Sequence, residues 1–158
     1  MSVAVVYYSK TGRTRRVTQY IKEKLGEQGF RVGVYEVRHA REYARMFLHL
    51  NPRLILETLS SREIEIEVVP SFDPRSFDIV AIGSPIWYER VVPAIKTFVS
   101  RYRNMLTQPV ACFTTSTLRR DYASGFRSLL ESLGYRVIDL SLIHISEPTR
   151  PLYISYAV

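Results

Sequence analysis

Three times along the chain, a short and nearly continuous run of β-favouring apolar residues gives way to a polar loop and then to an amphipathic helix. The runs are Val3-Ala4-Val5-Val6-Tyr7-Tyr8, Asp78-Ile79-Val80-Ala81-Ile82-Gly83, and Pro109 to Thr114. Strands that are apolar on both faces belong to a parallel sheet buried between helices. Parallel neighbours need crossover connections, and right-handed crossovers lay helices on both faces of the sheet. An α/β domain is the architecture that meets these demands.

The helices follow from spacing. After the first run, Val17, Tyr20, Ile21 and Leu25 share one face, with Gly26 or Gly29 able to stop the helix. Pro93 opens the next, whose inner face is Ile95, Phe98, Val99 and Tyr102. Tyr122 to Leu133 forms a third, burying Phe126, Leu129, Leu130 and Leu133 ahead of Gly134. Two further strands are expected at Arg31 to Val37 and Tyr135 to Leu140. Residues 40–70 read as an insertion, with helices over Arg41 to Leu50 and from Pro52 through Leu59. The strict alternation Glu63-Ile64-Glu65-Ile66-Glu67-Val68 predicts a half-exposed edge strand, which could equally serve formation of a homodimer.

Composition narrows the class. The 158 residues, 46% hydrophobic and 23% charged, suit one globular domain with a continuous core. No apolar run is long enough for a transmembrane segment and Val3 to Tyr8 is too short for a signal peptide, so the expectation is a soluble, cytoplasmic protein. The single cysteine, Cys112, lies in the apolar run Val110-Ala111-Cys112-Phe113 and reads as a buried, inert thiol. His39, His49 and His144 have no ligand spacing, so no metal site is assigned. The net charge of +7 and pI of about 9.7 point to an anionic partner. Without a recognition motif or interleaved aromatic and basic residues, nucleic acid is not expected; a solvated face or a basic rim beside a phosphate site is.

In doubly wound sheets ligands sit beyond the carboxyl ends of the strands, so the loops at 9–14, 84–90 and 114–120 are expected to converge. The first offers the hydroxyls of Ser9, Thr11 and Thr14, backbone N–H groups freed by Gly12, and a helix N-terminus that favours an anion. It has neither the Walker pattern nor the dinucleotide-binding glycine pattern.

Placed after the first strand and opening an amphipathic helix, Tyr8-Ser9-Lys10-Thr11-Gly12-Arg13-Thr14 resembles the phosphate loop of the flavodoxin family. Gly83-Ser84-Pro85-Ile86-Trp87-Tyr88, with Pro93 to Phe98 after it, resembles the family segment that lies along the flavin ring. The resemblance covers roughly residues 2–140. It implies a flavodoxin-like, doubly wound, five-stranded parallel sheet of order 2-1-3-4-5, with FMN as cofactor. By the same resemblance Ser9, Lys10, Thr11, Gly12, Arg13 and Thr14 would surround the flavin phosphate, Lys10 being the one that can equally be solvated. Ser84, Pro85, Ile86, Trp87 and Tyr88 would border the ring, with Trp87 or Tyr88 stacking on it; a core anchor is the other role open to Trp87. Thr115, Ser116 and Thr117 match the third loop in place and polarity, but the acidic and glycine-rich pattern of small carrier flavodoxins is missing. The run 79–113 is also similar to the flavodoxin-like protoporphyrinogen oxidases.

Family members continue from the fifth strand into a covering helix, whereas Ser141 to Tyr153 carries Pro148 and Pro151 and no helical period. Residues 140–158 resemble the peptide that translated sequencing-adapter DNA would encode. The expected domain is therefore 1–140, lacking its last helix, with 141–158 a non-native tail.

The function that the resemblance implies is electron transfer, or flavin-dependent oxidoreduction of a quinone or other small acceptor, with no catalytic side chain assigned. Arg13, Arg15, Arg16, Arg119 and Arg120 flank the loops, and would attract an anionic redox partner protein or the phosphates of a nicotinamide nucleotide. The competing reading is a non-redox module of the same fold that binds a phosphorylated ligand or a protein partner.

Overall fold

The structure, a computed structural model, describes residues 1–39, 64–117 and 120–140 and the backbone of 153–156. The helices expected over 41–59 lie outside the described residues, as does most of 141–158.

The first apolar run forms β1 (Ser2–Tyr7), every residue of it buried. It is followed by α1 (Arg13–Glu27), β2 (Arg31–His39), β3 (Ile66–Val69), a single 3-10 turn (Pro74–Ser76) and β4 (Ile79–Trp87). Then come β5 (Arg90–Val91), α2 (Pro93–Tyr102), β6 (Val110–Ser116), α3 (Ala123–Ser132) and β7 (Tyr153–Tyr156). In the sheet the order is β3-β2-β1-β4-β6-β7, with β5 pairing β4 off that path.

β1 pairs in parallel with β2 on one side and β4 on the other, with Val3 opposite Val32 and Ile79. β4 in turn pairs in parallel with β6. One face of these strands, with Val3, Val5, Ala81 and Phe113, packs under Val17, Ile21 and Leu25 of α1. The other, with Val6, Val80, Ile82 and Cys112, packs under Ile95, Phe98 and Val99 of α2 and Phe126 and Leu130 of α3. Helices thus cover both faces, as a doubly wound sheet requires. A fully buried aliphatic or aromatic side chain of this kind contributes ~1.5–3 kcal/mol.

Two elements differ from the sequence reading. The strand expected over Tyr135 to Leu140 is reduced to one parallel bridge between Val110 and Val137, with the Ile138 N–H donating to the Val110 carbonyl at 2.8 Å. Farther along the same edge β7 runs antiparallel to β6, Tyr153 opposite Ser116 and Tyr156 opposite Phe113. Alternation cannot reveal such a choice, because strand propensity does not say which edge is free. The edge strand expected from Glu63 starts at Ile66 and pairs antiparallel with β2.

Two contacts set the strands in register. Asp78, at the entrance to β4, accepts from the Ser2 N–H at 2.7 Å and the Ser2 hydroxyl at 2.9 Å, tying the starts of β1 and β4. Those bonds from Ser2, the main-chain one first, hold the Asp78 carboxyl below its ordinary value. Midway along β4, the Phe113 ring lies over Gly83 so closely that a Cβ there would fall 2.2 Å from it.

Burial holds the Cys112 thiol in its neutral form, pushed up to about 12. Burial likewise raises the Tyr135 phenol, whose hydroxyl donates to the Val99 carbonyl at 2.6 Å.

Gly83→Ala is expected to cost about 2–3 kcal/mol by overpacking against Phe113, read as a lowered midpoint in urea denaturation. Alkali is expected to destabilise the protein. Both raised groups keep their protons in the folded chain while the unfolded chain releases them near ordinary values, so stability is full below pH ~8.5 and declines as pH rises toward 12. Urea midpoints measured upward from pH ~9 should fall, and fall less steeply in Cys112→Ala.

Candidate functional site

β1 ends where Ser9 introduces polar side chains, and the chain must turn sharply to start α1. Gly12 makes the turn with φ +90°, a left-handed conformation that costs glycine little. Its N–H donates to Ser9 Oγ at 3.1 Å, while its carbonyl accepts the first helical bond, from Arg16, at 3.1 Å. No side chain caps α1 and no acidic residue sits in its first turn. The helix therefore presents uncapped N–H groups and a partial positive charge to whatever lies in front of it.

In front lies a pocket of about 160 Å³. Ser9, Lys10, Thr11, Arg13 and Thr14 form one wall, Pro85, Ile86 and Trp87 the second, and Thr115, Ser116 and Thr117 the third. The parallel pairing of β4 with β6 continues to Pro85 opposite Thr115, so the second and third walls are neighbours by register. The first and third walls are joined by a buried hydrogen bond of 2.9 Å between the hydroxyls of Thr14 and Thr115. The three loops expected to converge do so.

Gly12, Ser84 and Tyr88 do not line the pocket. Gly12 shapes the turn. Ser84 is fully buried, and its hydroxyl donates to the Pro85 carbonyl at 2.7 Å and accepts from the Val92 N–H at 3.2 Å. It staples β4 to the start of α2. Tyr88 packs against the core layer beneath α2 and α3. The segment read as a loop over 84–88 is instead the end of β4, which turns back through Tyr88 and Glu89, at φ 50° and 62°, to pair with β5. Positive φ at both central residues is the two-residue hairpin geometry that follows strand twist, usually signalled by asparagine or glycine. Tyr-Glu gives no such signal.

Trp87 is a core anchor that stands at the edge of the pocket. Only 8% of it is exposed and its ring meets that of Tyr8 edge-on, centroids 5.5 Å apart, yet it also borders the pocket. The flanking arginines divide. Arg13 lines the pocket and Arg16 is exposed, while Arg119 lies outside the described residues. Arg15 bonds Glu36 at 3.0 Å and approaches the Tyr7 hydroxyl; those contacts, Tyr7 first, hold its guanidinium above its ordinary value. Arg120 pairs with Glu89 at 2.6 Å, joining the hairpin to the third loop. Neither ion pair was readable from spacing, since the partners lie on different elements. Among the described residues no group of His, Cys, Asp and Glu could hold a metal, and no helix is long and apolar enough to cross a membrane.

Thr14→Val is expected to leave the Thr115 hydroxyl buried without its partner and to cost about 1–3 kcal/mol. The double variant Thr14→Val/Thr115→Val should recover part of that loss, which a double-mutant cycle on urea midpoints measures.

No family model and no curated protein matches this sequence. Solved structures do. A flavoprotein from Lactobacillus acidophilus NCFM in complex with FMN is 23% identical, over 87% of this chain and 89% of that one, with a TM-score of 0.72. The apo-form of the flavoprotein from the same organism is 26% identical over 87% and 88%, with a TM-score of 0.62. Two-electron reduced flavodoxin from Megasphaera elsdenii is 16% identical over 85% and 80%, with a TM-score of 0.54. With its parallel strands between two helical layers, the chain has the flavodoxin-like fold.

Proposed function

We propose that this chain is an FMN-binding redox protein that holds the flavin phosphate in the loop 9–14. The observation that carries this reading is the convergence of three strand ends on one polar pocket in front of an uncapped helix N-terminus. Hydroxyls from Ser9, Thr11 and Thr14, the cations Lys10 and Arg13, and a helix end without an acid nearby form a donor set suited to a phosphate dianion. The volume of about 160 Å³ fits a phosphate with part of a polyol chain, and is too small to enclose a dinucleotide. The FMN in the similar flavoprotein from Lactobacillus acidophilus NCFM supports the same cofactor.

When bound, FMN supplies hydride or single-electron chemistry through its ring. The chain's own work is positional. Ser9 holds the phosphate loop in shape through the Gly12 N–H, the Thr14 hydroxyl ties that loop to Thr115, and Ser84 fixes the hairpin that carries Ile86 and Trp87. Buried Trp87, braced by Tyr8, offers a rigid aromatic wall. Cys112, buried and protonated, takes no part. The acceptor in this reading is a quinone or another small molecule, and the rim cations Lys10, Arg13 and Arg16 would draw in an anionic protein or a nicotinamide nucleotide.

Trp87 is the chain's single tryptophan, so its emission reports on the pocket. Titration with FMN is expected to quench it and to yield a yellow complex after gel filtration. Arg13→Glu should weaken FMN binding about tenfold or more while leaving riboflavin binding unchanged, because only FMN carries the phosphate. A protein that takes up no FMN and shows no quenching would favour the non-redox module instead.

A further inference from the structure

The two edges of β6 are unlike. Toward the middle of the sheet it pairs in parallel with β4, from Val110 to Thr115. On its outer side the segment 135–140 meets it at one point, where Val110 donates its N–H to the Arg136 carbonyl at 2.9 Å and accepts from the Ile138 N–H at 2.8 Å. Past that point the segment turns beneath α1, and Leu140 is buried there with Val17 and Ile21.

Those two bonds decide which backbone groups of β6 face outward. Along a strand the N–H and C=O of one residue point to one side and those of the next residue to the other. Val110 faces outward, so Cys112, Thr114 and Ser116 do as well. Pro109 belongs to the inward set, its carbonyl accepting from the Val80 N–H at 3.2 Å. The outward groups of Thr114 and Ser116 are thus beyond the reach of β4, and Thr114 is too buried, at 1% exposed, for water to serve it. Among the described residues the strand opposite them is β7, with Ser155 facing Thr114 and Tyr153 facing Ser116.

This stretch of β6 is also the third wall of the pocket. Thr115 and Ser116 line it, and the Thr115 hydroxyl reaches Thr14 in the first wall. The register with β4 stops at Thr115, so at Ser116 the ladder has β7 alone. We infer that the outer edge of β6 over Thr114–Ser116 is a strand-acceptor site, and that residues 153–156 seated in it act as a clip that holds the third wall in place for the cofactor. The link to cofactor retention rests on the FMN reading above; the acceptor edge does not. Main-chain pairing asks little of side chains, which is how a tail resembling translated adapter sequence can occupy the edge.

Hydrogen exchange and FMN titration of the full-length chain test the clip. Proline has no N–H, so Tyr153→Pro and Ser155→Pro each delete a donor that faces β6, whereas Ile154→Pro deletes one that faces away. The first two are expected to speed exchange at the Thr114 and Ser116 amides while Val80 to Ile82 stay protected, the sign of an intact sheet. FMN affinity should fall about tenfold with them, roughly the worth of one backbone hydrogen bond, and Ile154→Pro should change neither quantity. A synthetic peptide of residues 151–158, added to Ser155→Pro, should restore both protection and affinity. Unchanged exchange at Thr114 and Ser116, equal effects of the three prolines, full FMN affinity after protection is lost, or a peptide that restores nothing would overturn the clip. An intact chain that takes up no FMN would overturn the cofactor reading, and the acceptor edge would then stand or fall on exchange at Thr114 and Ser116.

Discussion

The organisation of this protein depends on parallel pairing of β1 with a strand on each side. A parallel neighbour cannot be reached by a hairpin, so each return of the chain crosses a face of the sheet as a helix, and strand after strand ends at the same edge. Ser9, Trp87 and Thr117 are far apart in sequence and border one pocket for this reason alone. The same rule places the N-terminus of α1 at that edge, so the pocket receives a partial positive charge as a by-product of topology. Chemistry at the site is thereby reduced to choosing side chains for loops whose meeting the fold already guarantees.

Those loops are held by hydrogen bonds of modest individual worth that differ greatly in exposure. The Thr14 to Thr115 bond and the two bonds of Ser84 are buried, where an unmade partner is costly. The Arg120 to Glu89 pair joins the same regions on the outside, both side chains 64% exposed, and contributes little in water. The interior of the site is therefore fixed while its outer seam is loosely tied. The aromatic side chains lie on the inner side of that division, Trp87 and Tyr8 locked edge to face and Tyr88 packed against the core layer, while Glu89 at the hairpin tip is exposed.

The sequence made the three buried parallel strands, the helices after them and the meeting of the loops legible, because continuous apolar runs and helical spacing are local signals that the topology rules convert into a fold. The turn from β1 into α1 that borders the pocket could be located by a strand, a glycine and a helix start. What stayed hidden depends on partners distant in sequence. Ser84 reads as one more polar loop residue, yet its role is decided by the Val92 N–H. The hairpin through Tyr88 and Glu89 lacks the residues that announce such turns. Tyr135 to Leu140 has strand composition, but pairing needs a free edge as well as propensity, and β6 offers it only one bridge there.

The Phe113 ring over Gly83 has a consequence for how such a chain can drift. The ring occupies the space that any side chain at 83 would need, and both positions are buried in the layer beneath α1. A larger residue at 83 is admissible only where 113 has already become smaller, and a smaller residue at 113 leaves a void that 83 is placed to fill. The two positions behave as a single volume shared by neighbouring strands. Substitutions there are viable in pairs, so these sites on β4 and β6 should be inherited together even where the loops beyond them diverge.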